Sequence, residues 1–391
     1  MKRGAWHQFG DRSQKLALEQ LNSGSGVGVI LSPRDLSFSG TVSYASKYRE
    51  LGAEVLFDQQ FYVPQFSNVK LDSYPTSKHR KAASQLGKLS DQELAALSVA
   101  LEEVNRAVEA NAVVAPALVY QAGRPDIVAL NGRLFAASKR VGDALGIPTL
   151  ATVVLGNSLA ASDQMIRATL SQATSLDADG WYFAFEFSRE RIPSGAEQVG
   201  RCCLAGLILA STGKPVLHAY AGPLGLISFG FGSTGAGIGH SQNLWQFSSG
   251  RWEPPSGQGG SGDAPARFFS SSLWGTVIHP DETVQLPTSL RSKVLTESPF
   301  VSPWNRWNAN KHFVFSVCRT VAAISKLKNA RSCAKEAVSV LQRAVALHGN
   351  IKAAGITLRD QTASYQSNWL KAVSGALNSY ANDYDYLDLL E

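Results

Sequence analysis

The stretch VLFDQQFYVPQF, residues 55–66, begins as a buried strand and changes character halfway along. Val55, Leu56 and Phe57 are core residues. Asp58, Gln59 and Gln60 follow at once, and then Phe61 and Tyr62. A carboxylate and two amides where an apolar strand ends suit the rim of a parallel β/α fold, because such folds carry their chemistry at the C-terminal ends of strands.

Other strands end in the same way. Short apolar runs recur as VGVIL (27–31), EVLF (54–57), VVAPALVY (113–120), TLATVVL (149–155), WYFAFEF (181–187) and PVLHAY (215–220). Helix-like segments lie between them at 43–51, 91–110, 133–145, 159–175 and 196–211. Leu145-Gly146-Ile147-Pro148 and Gly213-Lys214-Pro215 are punctuation of the kind that closes a helix and opens a strand. Strand and helix alternating at this spacing predict parallel β/α units, and runs apolar on both faces suit a parallel sheet. An open doubly wound sheet gathers its polar strand ends at one switch point. Here they are dispersed over nearly every unit: Arg34 and Asp35, Asp58 to Gln60, Tyr120 and Gln121, Asn157, Glu186 to Glu190, His218 and Tyr220. That dispersal favours an α/β (β/α)8 TIM barrel, whose site is assembled from many strands.

The expected organisation is a helical lead-in over 1–25 and a barrel over 26–300. A Gly/Ser/Pro-rich insertion, SSGRWEPPSGQGGSGDAPA, occupies 248–266. After Pro303 the sequence turns to amphipathic helices, so 301–391 is expected to be a helical subdomain or dimerisation element with the acidic tail NDYDYLDLLE. The glycine-rich FGFGSTGAGIGHSQN (229–243) lacks the G-x-G-x-x-G order and the lysine of a phosphate loop. It reads better as a late strand where small residues allow close approach.

A chain of 391 residues with 44% hydrophobic and 17% charged residues is long enough for a large core. Its net charge of +6 is scattered, which allows an anionic partner without demanding one. Cys202, Cys203, Cys318 and Cys333 form no C-x-x-C pair, so neither a disulfide framework nor a zinc site is expected, and no cofactor. The N-terminus lacks the apolar run of a signal peptide, and no stretch approaches ~18 uninterrupted apolar residues. A cytoplasmic protein without a membrane span is expected.

Asp58 is the first candidate acid/base, since partial desolvation at a barrel mouth raises a carboxyl pKa toward a useful range. Gln59 and Gln60 carry donors and acceptors fit to read a heterocycle edge, and Phe61 and Tyr62 offer ring faces. By alternation Tyr182, Ala184 and Glu186 share one face of their strand, which brings Glu186 to the mouth if that face is the inner one. Glu190 sits just beyond, between Arg189 and Arg191. His218 and Tyr220 alternate to one side and His240 follows the glycine run, so either histidine is a candidate acid/base or a satisfied core residue. Tyr120, Asn157, Arg34 and Asp35 complete the strand-end set, with Arg34 free to hold an anion or to pair with Asp35.

The order of these segments resembles the tRNA-guanine transglycosylase family, (β/α)8 enzymes that exchange guanine for a 7-deazaguanine. Where that family carries D-S-G-G-F-Q, this chain has FDQQFYVPQ with Asp58 and Phe61. GWYFAFEFSRE matches the length of the family's G-Y-A-I-G-G-L-A-V-G-E, with Gly180 at its start and Glu190 at its final acid. KPVLHAYAGPLGLISFGFG, from Lys214, is similar to K-P-R-Y-L-M-G-V-G and its short helix, and Asn310 to Phe313 is similar to a late N-x-H-F. The chain departs from the family where a nucleophilic aspartate belongs, with Ile238, Gly239 and His240 in its place, and where a C-x-C-x-x-C zinc site belongs.

The resemblance implies a divergent paralogue, of the type found in DNA-modification or antiphage gene clusters. It would bind a purine or 7-deazaguanine and transfer it to a nucleic-acid or protein acceptor, as a homodimer or a subunit of a larger complex. Two alternatives stand beside it. One is an inactive base-binding barrel within a complex. The other is an unrelated barrel enzyme acting on a phosphorylated metabolite, with the glycine-rich strand as its phosphate cradle.

Overall fold

A computed structural model describes residues 1–83, 89–187, 192–252, 265–296, 303–359 and 365–380. Eight strands are buried along their whole length or nearly so: β1 (Gly4–Gln8), β2 (Gly28–Leu31), β3 (Glu54–Phe57), β4 (Ala112–Val114), β5 (Thr149–Leu155), β6 (Gly180–Phe185), β7 (Val216–His218) and β8 (Gly235–Gly239). Each pairs in parallel with the next, and β1 pairs with β8 from Gly4 opposite Gly235 to Gln8 opposite Gly239. The ring is closed, so the expected TIM barrel is present.

The barrel opens at Gly4, inside the segment expected to be a helical lead-in. A helix does follow, at Ser13–Asn22, but GAWHQ is a strand. Its polar residues disguise it. His7 is satisfied by the Ser25 carbonyl at 2.8 Å, and Gln8 is buried at the end of the strand.

Alternation along the strands explains why β8 is rich in glycine. Trp6, Ile30, Leu56, Leu150, Tyr182 and Leu217 come from six strands and meet in one cluster, which fills the barrel interior. Trp6 takes up so much of that interior that its neighbours have no room for a side chain. A Cβ at Gly235 would lie 2.8 Å from Trp6 Nε1, and one at Gly28 would lie 2.5 Å from the same ring. A Cβ at Gly237 would meet Gln8 Oε1 at 2.9 Å. The glycines therefore make room for β1 residues.

Local signals set the helix ends. Ser90 and Glu93 form a reciprocal capping box before the Asp91–Ala107 helix. Pro125 opens the Pro125–Leu145 helix and Gly146, with φ 67°, ends it.

The C-terminal helices Arg306–Ser325, Ala330–Ala353 and Tyr365–Tyr380 wrap the barrel. Phe313, Val317, Val321, Leu341, Trp369 and Val373 belong to the same apolar cluster as Phe183 and Leu204. Trp369 Nε1 also donates to the Pro193 carbonyl at 2.6 Å. The Arg306–Ser325 helix covers β1 and β8, and Tyr365–Tyr380 packs on Ala196–Ala210. A small antiparallel hairpin, β9 (Arg267–Ser270) with β10 (Gly275–Ile278), lies against the first of these helices. Among the described residues no helix is long and apolar enough to cross a membrane. Most of the Gly/Ser/Pro-rich insertion and the acidic tail lie outside the described residues.

Candidate active site at the barrel mouth

The site is built on the end of β3. Asp58 continues the strand pairing through its N–H, which donates to the Leu31 carbonyl at 3.0 Å, and its side chain lies in the barrel mouth at 1% exposure. Four donors converge on the carboxylate. Oδ1 accepts from the Gln60 N–H at 2.9 Å and the Tyr62 hydroxyl at 2.8 Å. Oδ2 accepts from Tyr182 at 3.0 Å and Tyr220 at 3.2 Å. Burial raises the Asp58 pKa, and the hydrogen bonds from Tyr62, Gln60, Tyr182 and Tyr220 oppose that rise. The same burial, with the carboxylate alongside, pushes the three phenols well above the ordinary tyrosine range.

Two residues with positive φ aim this cluster. Gln60, at φ 53°, turns the chain back so that its N–H faces Asp58 and its Nε2 donates to Tyr220 Oη at 2.9 Å. Tyr220, at φ 52°, breaks the alternation of β7. His218 points outward, its ring 5.0 Å from Phe183 and its Nδ1 2.7 Å from Ser228 Oγ, while Tyr220 swings inward. The reading that put His218 and Tyr220 on one side is therefore corrected. Burial pushes the His218 pKa down to about 3.

Arg80 anchors the loop beneath. Its guanidinium donates to the carbonyls of Gln59 (3.2 Å), Gln60, Val63 (3.1 Å) and Phe66 (3.5 Å), and the residue is 2% exposed. A single side chain thus holds most of residues 59–66 in place.

Above Asp58 lies an aromatic layer. The Phe247 ring is 5.1 Å from Tyr62, 5.5 Å from Tyr220 and 5.4 Å from Trp252. A basic layer follows. The Arg251 guanidinium sits 5.5 Å from the Trp252 ring and 5.9 Å from that of Tyr220, and its Nη2 donates to Asp35 Oδ2 at 3.2 Å. Arg34 donates to the Arg251 carbonyl and lies 5.1 Å over Phe66. Burial first, then the neighbouring Arg251, lowers the Arg34 pKa. Beyond these arginines opens a cleft of about 800 Å³, reached by Arg34, Asp35, His240 and Arg251.

The remaining expected residues divide. Gln60, Arg34, Asp35 and His240 stand in or beside the mouth. His240 Nδ1 is 2.9 Å from Ser13 Oγ, and burial lowers its pKa to about 4. Glu186 faces the mouth but is occupied. Its Oε2 accepts the Asn157 N–H at 3.1 Å, and its Oε1 accepts the N–H (2.8 Å) and hydroxyl of Ser249. It pins two loops together. The Asn157 side chain is exposed.

Gln59 turns away to accept from Thr76 Oγ1 at 3.2 Å. Phe61 packs with Leu94, Leu97 and Leu130, leaving Tyr62 as the ring at the mouth. Tyr120 packs with Phe135 and hydrogen-bonds Asn131, so it too is a core residue. Glu190 lies outside the described residues.

Gln8, Tyr182, Phe247, Arg251 and Trp252 belong to the mouth and were missed. Tyr182 had a signal, because it alternates with Glu186. Among the described residues no cluster of three or more His, Cys, Asp or Glu side chains is arranged to hold a metal ion, and the four cysteines are free buried thiols. No model of a known protein family matches this chain, and no curated protein matches it in sequence.

Proposed function

We propose that the chain is a transglycosylase-like barrel that takes a purine or 7-deazaguanine at its C-terminal mouth and moves it to, or exchanges it on, a nucleic-acid acceptor. The observation that carries this reading is an unspent amide oxygen, that of Gln60, beside the Asp58 carboxylate. Gln60 is held against Asp58 through its N–H and against Tyr220 through its Nε2, while its Oε1 is buried and accepts no hydrogen bond. Unsatisfied buried amides are costly, by about 1–3 kcal/mol each, and such groups often serve a ligand. An amide acceptor and a carboxylate side by side are complementary in kind to the N–H donors on the edge of a guanine-type base. Tyr62, Phe247 and Trp252 supply ring faces of the sort on which a base stacks.

In this reading Asp58 carries the proton. As the bond between sugar carbon and base nitrogen breaks, the departing nitrogen takes a proton from the Asp58 carboxyl. The incoming base gives its ring N–H proton back to the carboxylate as its nitrogen bonds to the same carbon. A pKa raised by burial suits a group that must do both. β8 presents Gly239 and His240 at its end. No aspartate stands there to attack the sugar, so the residues support proton transfer and base recognition without a covalent intermediate.

Calorimetric titration of guanine, 7-deazaguanine and adenine tests the reading. Saturable binding of the first two near the micromolar range is expected, corresponding to about −8 kcal/mol. Asp58→Asn should weaken it at least tenfold. If no base gives a saturable signal with the folded chain, the reading fails.

A further inference from the structure

The cleft outside the aromatic layer is lined by charged side chains, unlike the aromatic layer beneath it. We propose that it binds the phosphoryl group of a nucleotidic ligand, with Arg251, Arg34 and Arg306 as its cationic contacts and the first turn of the Arg306–Ser325 helix as its amide contact. This inference does not depend on base recognition at Asp58.

Charge comes first. The cleft is lined by four arginines (Arg12, Arg34, Arg251 and Arg306) and two aspartates (Asp11 and Asp35). Four guanidiniums against two carboxylates, with His240 neutral, leave a surplus of two positive charges. Asp11 pairs with Arg12 at the exposed rim, 3.7 Å away, and Asp35 Oδ2 accepts from the Ser32 hydroxyl at 3.1 Å and from Arg251 Nη2 at 3.2 Å. A phosphate dianion carries the balancing charge.

The second observation is Arg251 itself. Its side chain is 6% exposed, yet Nε and Nη1 donate to nothing. A buried guanidinium with two idle nitrogens is rare, because each unsatisfied donor costs desolvation without return. The Asp35 contact and the ring faces of Trp252 and Tyr220 hold the guanidinium in place. A fixed guanidinium fork matches phosphate oxygens in a way that a lysine would not.

The third is the helix. Asn305 caps it by accepting the Asn308 N–H at 2.9 Å, and its first turn contains no acidic residue. The positive end of a 20-residue helix therefore opens at the cleft wall beside Arg306. Trp307, 38% exposed, lines the same cleft and offers a face to a ring. About 800 Å³ falls within the range of small-molecule sites and accommodates a mononucleotide.

The test is calorimetry on the full chain with inorganic phosphate, GMP, guanine and a short single-stranded oligonucleotide, at two salt concentrations. GMP and phosphate should bind in a salt-sensitive way. Arg251→Gln should weaken both at least tenfold, and Arg306→Gln, at an exposed position, three- to tenfold, the latter without altering guanine binding more than twofold. A strand that binds more tightly than GMP, with a steeper salt dependence, identifies a nucleic-acid backbone as the source of the phosphate. GMP binding as tightly as the strand identifies a free nucleotide. The inference is overturned if wild type binds no phosphate compound, or if Arg306→Gln and a folded Arg251→Gln bind GMP as wild type does. Loss of guanine binding in Asp58→Asn with GMP binding intact would separate the two sites.

Discussion

Tyr220 places its hydroxyl 3.2 Å from Asp58 Oδ2 across 162 positions of chain, and does so from a backbone conformation that an L-residue adopts reluctantly. The positive φ costs on the order of 1 kcal/mol. A hydrogen bond to a charged group in a buried site contributes about 1.5–3 kcal/mol. The bond therefore outweighs the strain, and the result is an inward phenol where simple alternation would leave an outward one.

Tyr220→Phe removes that donor and leaves Gln60 Nε2 without its acceptor. We expect a loss of about 1.5–3 kcal/mol in urea denaturation at neutral pH. Tyr182→Phe should cost a similar amount, because it removes a donor to the same Asp58 oxygen. The double mutant should deviate from additivity, since both phenols serve one oxygen atom of Asp58.

Acid stability should be governed by buried histidines. Burial lowers the pKa of His218 to about 3, and of His7 and His240 to about 4, from an ordinary 6.5. A histidine depressed in the fold contributes stability that is complete above pH 6.5 and is lost as pH falls toward the folded value. Asp58 acts in the opposite sense. Its raised pKa gives a contribution present at low pH and lost as pH rises through the folded value. Denaturation midpoints should thus fall steeply between pH 6.5 and 4. His218→Gln should flatten that limb by about 2–3 kcal/mol at pH 4.5. An unchanged slope in the variant would refute the assignment.

Arg80→Met tests whether one guanidinium organises the 59–66 loop. Four carbonyls lose their donor, so a loss of about 3 kcal/mol is expected. Hydrogen exchange at the Gln60 to Phe66 amides should quicken by tenfold or more, with the Pro125–Leu145 helix little affected. Base binding should fall with the loop.

The glycine strand gives a contrast between neighbouring chemistries. Gly235→Ala puts a methyl 2.6 Å from Leu217 Cδ1 and 2.8 Å from Trp6 Nε1, an overpacking worth about 1–3 kcal/mol. Gly132, in the Pro125–Leu145 helix, has nothing within 4 Å of its added Cβ. Gly132→Ala should stabilise by about 0.5–1 kcal/mol. Opposite shifts in Tm check both statements together.

The barrel was legible because its causes are local. Runs such as TLATVVL and WYFAFEF are apolar on both faces, so they need cover on both sides, and helices of matching spacing stand between them. Asp58 and Glu186 were legible as strand-end acids on inward positions. The first strand was not, because His7 and Gln8 look like surface residues until their partners, Ser25 and the barrel interior, are in place.

The linear order of residues thus settled the alternation of strand and helix, the closed cylinder, and the end of it at which polar side chains gather. Assembly in three dimensions settled which of those side chains share a space. Backbone twists at Gln60 and Tyr220, the bulk of Trp6 against Gly235, and the meeting of Arg251 with Asp35 each join residues too far apart in sequence for any periodicity to relate them. Burial and charge act through space, so the roles of these groups follow from their neighbours in the fold.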